Sequence, residues 1–219
     1  MAEAPQTPHR RARVAIPAVI AGGVSALLLA FSMTPTFAAL SAAIQNTVNT
    51  AGTGTLIMQE VGPDGVIKCN STDVGGISTN SATCATINKY GGNLGMVPGQ
   101  TVTTNITIKN TGTVEAGSFS VKGGTCTQAN NGSTNGSATD LCSKYDIVIK
   151  SGSTTIYTGN ALAFGTAPAT AIVPSLIPAA GNATGTPISI AVTLNSSAGN
   201  THQGLSIAQG ITWTFGAGS

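Results

Sequence analysis

Charge and aromatic surface are what this 219-residue sequence has least of: Asp, Glu, Lys and Arg together make up 7% of it, and Phe, Trp and Tyr 4%. Beyond residue 38 there is no basic cluster, and with so few aromatic side chains nucleic acid and anionic lipid surfaces are poor partners for that part of the chain. Histidine is scarcer still, limited to His9 and His202. That excludes the paired imidazoles of an HExxH zinc helix, and no helix is there to carry them. A GxSxG elbow is missing too, the nearest string being the strand-like GLSIA at 204–208. GTGTL at 52–56 lacks the third glycine and the following helix that a phosphate cradle needs. The sequence calls for no cofactor and no metal, and offers no catalytic residue.

The one long apolar run stands at the start. Arg10, Arg11 and Arg13 precede Val14–Ala30, a stretch broken only by Pro17, Gly22, Gly23 and Ser25. Thr36-Phe37-Ala38 then places small residues at −3 and −1, so residues 1–38 form a signal peptide cut between Ala38 and Ala39. The alternative is a retained membrane anchor, because extending the run to Met33 gives a length just able to span a bilayer. Proline and glycine loosen that run as a helix, which favours cleavage. A type IV pilin leader is excluded, since its apolar helix would open near a glutamate. Removing 1–38 leaves six lysines against six acidic side chains, so the formal charge of +2 comes from the leader.

Four cysteines follow: Cys69, Cys84, Cys126 and Cys142. Behind a signal peptide an even number implies disulfides, and three pairings are open. CNSTDVGGISTNSATC and CTQANNGSTNGSATDLC are nearly matched in length and composition. Local pairing, Cys69 with Cys84 and Cys126 with Cys142, would restrain two loops expected to have no core of their own. Each bridge would contribute roughly 3 kcal/mol in the chain-entropy model.

The remaining pattern is of period two. Leu40, Ala42, Ile44 and Val48 alternate with polar or small residues. Thr55–Val61 and Val66–Cys69 flank the turn Gly62-Pro63-Asp64-Gly65, where Asp64 is expected to cap backbone amides. Val102, Thr104, Ile106 and Ile108 share one face of a strand ended by Asn110-Thr111-Gly112. Ser118–Lys122 points Phe119 and Val121 inward. Tyr145–Lys150 and Thr154–Thr158 form a hairpin, 164–187 is an irregular crossing loop, and Ile188–Leu194 and Ile211–Phe215 close the chain. Eight or nine short strands predict an all-β fold: one β-sandwich, jelly-roll or Ig-like, with long polar loops. It occupies 54–219, after a strand and hinge at 39–53. His202, in the turn NTHQG, is expected to be a solvated side chain, and the carboxylates Glu60, Asp64, Asp73, Glu115, Asp140 and Asp146 to be scattered.

Three stretches resemble the TasA/camelysin family of secreted β-sandwich proteins. TFAALSAAIQNTVNTAGTGTL is similar to the family's leader junction, polar strand and A-G-T-L step, here widened by Gly54-Thr55. LGMVPGQTVTTNITIKNTGT is similar to its P-G turn, strand and N-x-G turn, and SSAGNTHQGLSIAQGITWTFGA to its N-x-x-Q-G turn and last aromatic strand. The departures are His202 in place of an aromatic residue before Gln203, Leu40 in place of an aromatic after the cleavage position, and the two cysteine loops. Some members are described as metalloproteases, but zinc ligands are missing here. The resemblance implies an extracellular, cell-surface or biofilm-matrix protein that assembles with itself into fibres and is not an enzyme. Leu40, Ala42, Ile44 and Val48 would form the assembly strand, lent to a neighbouring subunit. The competing expectation is a monomeric surface-binding module or adhesin that contacts a receptor or glycan through its Thr/Asn-rich loops.

Overall fold

The longest period-two segment supplies the centre of the fold. Numbered in chain order, the strands are β1 (Met58–Val61), β2 (Lys68–Asn70), β3 (Thr101–Asn110), β4 (Ala116–Gly123), β5 (Thr127–Asn130) and β6 (Tyr145–Ser151). They continue with β7 (Thr154–Asn160), β8 (Thr170–Ala171), β9 (Thr186–Leu194), β10 (Leu205–Ala208) and β11 (Ile211–Ala217). Three helical turns interrupt them: α1 (Gly76–Thr79), α2 (Leu141–Lys144) and α3 (Ala161–Thr166). This computed structural model describes residues 50–218, and from Gly52 onward they form one compact unit. The signal peptide, the Ala38/Ala39 junction and the strand of Leu40, Ala42, Ile44 and Val48 lie outside the described residues.

The first sheet is antiparallel, in the order β2-β1-β3-β9-β6-β7. Its inner face stacks β-branched residues across strands, with Ile106 opposite Ile188 and Ile190 opposite Ile149. Ile188, Ile190 and Ile149 are at most 1% exposed. Burying such side chains contributes about 1.5–3 kcal/mol each, which is why the alternation fixes the register. The second sheet has the order β11-β4-β8, and β10 pairs with β5. Because β5 follows β4 and β10 precedes β11, the two ladders run on as one bent sheet, joined by the hydrogen bond from Gly124 N to Gly210 O (2.8 Å). Phe119, Val121 and Trp213 from this sheet meet the isoleucines of the first, so the fold is an all-β sandwich.

The turns behave as their residues require. Asp64 Oδ1 accepts from the amides of Val66 and Ile67, and those bonds hold its carboxyl below the ordinary range. Gly99 takes φ +84° after Pro98, and its N–H donates to Leu194 O. Asn110 is fully buried. Its side chain accepts from Gly112 N and donates to Val114 O. A Cβ at Gly112 would lie 2.7 Å from the Ile57 nitrogen, so only glycine lets the chain at Thr55–Ile57 lie against this turn.

Three expectations are corrected. There are eleven strands among the described residues rather than eight or nine. The second cysteine loop is not without a core: it carries β5 and α2, and Leu141 is 1% exposed. The crossing segment 164–187 also contributes β8 and a 3-10 turn at Pro174–Leu176, and buries Phe164 and Ile172.

Candidate functional site

The six-stranded sheet and the bent sheet of β11-β4-β8 and β10-β5 do not close on each other everywhere. A cleft of about 750 Å³ lies between them. Met58 and Glu60 of β1 and Cys69 and Asn70 of β2 form one wall. Ser81–Ala85 and Asn88–Tyr90 form the rim, and β10 and β11 the other wall.

Both disulfides exist as expected: Cys69–Cys84 and Cys126–Cys142, with Cα–Cα distances of 5.8 and 6.1 Å. No free cysteine occurs among the described residues. The first bridge lines the cleft and ties its rim to β2, so its place is at the site. The second holds α2 beside β5. Two disulfides suit an oxidising, extracellular-type environment. No helix of the described residues is long and apolar enough to cross a membrane.

Glu60 sits opposite Ile108 and Cys69, and is therefore turned to the inner face, 7% exposed. Its Oε1 lies 2.8 Å from Lys89 Nζ. The contact is charge to charge and is badly aligned as a hydrogen bond, since Oε1 lacks a well-directed donor. Burial pushes the Glu60 carboxyl up, and the nearby Lys89 pulls it part of the way back. Among the described residues these are the only charged side chains in the cleft lining. The carboxylates are scattered, as expected, and Glu60 is the buried one among them. An acid on the apolar phase of the Leu56, Met58, Glu60 alternation was the signal for this pair, and Lys89 gave none.

Gln209 holds the bend between β10 and β11. Its Nε2 donates to Gly124 O (2.7 Å) and Ala161 O (2.8 Å), and its Oε1 accepts from Tyr90 OH (2.6 Å). Burial drives the Tyr90 hydroxyl far above its ordinary value, so it stays a donor. Asn70 and Asn80 are also occupied internally, with Gln59 and Asp73, and with Ser71 and Leu56 O. The amide groups of these walls are fastenings of the fold.

Two features are left open. Trp213 is buried and has no acceptor for its indole N–H among the described residues. Phe119 packs against it (5.9 Å between centroids) and against Phe215 (5.0 Å). In addition, among the described residues β11 pairs only with β4. The bonds Gly124 N to Gly210 O and Ile172 N to Phe119 O fix the parity of the ladder. Thr212 and Thr214 therefore bond to β4, while the main-chain N–H and C=O groups of Ile211, Trp213 and Phe215 point to the opposite edge, unpaired among the described residues.

His202 corrects another expectation: its side chain is only 10% exposed. Nδ1 accepts from Gly199 N, which places the proton on Nε2, 2.9 Å from Asp140 Oδ1. This hydrogen bond is the main reason that the Asp140 carboxyl lies below its ordinary value. The pair pins the Gly199–Gly204 turn to the second cysteine loop. No group of three His, Cys, Asp or Glu side chains able to hold a metal ion occurs among the described residues. No family model matches this chain, and no curated protein matches it.

Proposed function

We propose that this protein is a secreted structural subunit that assembles with itself into extracellular matrix or surface filaments by exchanging its N-terminal strand. The observation that carries the reading is the β11 edge, unpaired among the described residues, beside a cleft between the two sheets. An unpaired strand edge next to apolar pockets binds an extended segment through main-chain hydrogen bonds and alternate side chains. The chain holds such a segment just before the described domain. Residues 39–50 have no charged side chain, and the cleft's own charges cancel within one pair.

Thr50–Gly54 are exposed and without regular structure. The chain is first fastened at Thr55, whose N–H donates to Thr113 Oγ1 and whose carbonyl accepts from Thr113 N and Val114 N. A strand joined at that point reaches a neighbour without disturbing the sandwich. Head-to-tail exchange that does not close builds a filament. The leader, the disulfides and the resemblance to the TasA/camelysin family support the same reading, and signal-peptide cleavage at Ala39 would release the strand.

Electron microscopy of the purified secreted chain tests it. Filaments are expected from the intact protein. None are expected after deletion of 39–50, with circular dichroism and both disulfides unchanged. Ile44→Asp should weaken assembly by carrying a charge into an apolar groove. Filaments from the truncated chain, or none from the intact one, overturn the proposal.

A further inference from the structure

The geometry of β11 goes further and points to one register for the inserted strand, an inference that rests on the strand-exchange reading. We infer that the even-numbered residues Leu40, Ala42 and Ile44 of a second copy lie opposite Ile211, Trp213 and Phe215, with Ala42 against Trp213.

Two independent constraints meet here. The hydrogen-bonding groups of the open edge belong to Ile211, Trp213 and Phe215, so an incoming strand exchanges main-chain bonds with those three positions. The side chains of the same three residues point into the sandwich: Trp213 is buried, and Ile211 and Phe215 are half-buried against the core. Thr212 and Thr214, between them, are exposed. Residues directly opposite one another in a sheet project to the same face. Whatever pairs with Ile211, Trp213 and Phe215 therefore points inward, and whatever pairs with Thr212 and Thr214 points to water. In 40–45 the even positions are Leu40, Ala42 and Ile44, and the odd ones Ser41, Ala43 and Gln45. A slip of one residue would bury Ser41 and Gln45 and expose Leu40 and Ile44, which is why the register is sharply chosen.

Size decides between the registers that remain. Trp213, the chain's single tryptophan, is the bulkiest of the three edge residues and stands between the other two. Ala42 is the small residue between Leu40 and Ile44, so setting Ala42 on Trp213 lets bulk and gap alternate across the pair. From Ile211 to Phe215 the edge runs about 14 Å, the length of five extended residues. It matches Leu40–Ile44.

Cysteine pairing tests the register. Thr212 and Thr214 are non-hydrogen-bonded positions towards the new strand, where opposed Cβ atoms come close enough for a disulfide. Full-length chains expressed for secretion, one carrying Thr212→Cys or Thr214→Cys and the other a cysteine at Ser41, Ala43, Ala42 or Ile44, are mixed, assembled and oxidised. Mixed dimers are counted on non-reducing gels. Crosslinks from Ser41→Cys and Ala43→Cys at least ten times more abundant than from Ala42→Cys and Ile44→Cys are expected. Equal yields from odd and even positions overturn the register. Filaments with no crosslink to 212 or 214 overturn β11 as the acceptor while strand exchange stands, and wild-type chain that forms no filaments overturns both. A substitution-free measurement accompanies it: the single indole N–H resonance of the wild-type chain should shift when synthetic peptide 39–50 is added. An unchanged resonance at saturation overturns the placement of Ala42 on Trp213.

Discussion

Replacing Lys89 by Met probes the one buried ion pair in the cleft wall. The substitution keeps the apolar stem and removes the ammonium, which leaves Glu60 facing Ile108 and Cys69 with nothing to balance its charge. Breaking a buried pair from one side costs about 3–5 kcal/mol. Water reaches this pair from the cleft and Glu60 can take up a proton, so the lower end, about 3 kcal/mol at neutral pH, is expected.

The pH dependence has a definite sign. Burial raises the folded-state value of Glu60 above the ordinary 4.5, so in the window between the two the folded state binds more protons than the unfolded state. Stability from this group falls as pH rises through the window and is recovered as pH is lowered towards 4.5. Without Lys89 the upper limit of the window moves higher. The deficit of Lys89→Met should therefore shrink between neutral pH and about pH 5. Lys89→Met combined with Glu60→Gln should recover most of the loss and lack this dependence. Urea unfolding of the four proteins at the two pH values measures it. A Lys89→Met deficit below about 0.5 kcal/mol at neutral pH, or an equal deficit in the double variant, would refute the argument.

Two further outcomes follow from the second cysteine loop. Leu141→Ala should destabilise the whole domain by about 2–5 kcal/mol, seen as a lower denaturation midpoint with an unchanged m-value, because Leu141 belongs to the central core. A separate early transition of the loop would contradict that. Asp140 should titrate below its ordinary 3.8. A depressed carboxyl stabilises the fold above 3.8 and loses that contribution as pH falls through the folded value. In His202→Ala, carboxyl NMR should show the Asp140 midpoint move back up, with filament assembly unchanged.

Most of the strand pattern could be read from the chain itself. Alternation over Thr101–Lys109, Tyr145–Lys150 and Ile188–Leu194 marks strands whose inward residues are buried, because a half-buried strand needs nothing beyond period two to declare its faces. The turn at Asp64 and the disulfide pairing were legible for similar local reasons: turn chemistry and loops of matched length. What remained hidden depends on residues far apart in sequence. Glu60 and Lys89, Tyr90 and Gln209, and Asp140 and His202 meet only after folding. β5 and Leu141 looked like loop because Asn, Ser and Gly dominate their neighbourhood, yet β5 is ordered by pairing with β10 and Leu141 by burial in the core. The cleft was least visible of all. Its lining comes from segments as far apart as Leu56 and Phe215, a meeting of the two sheets that no local pattern encodes.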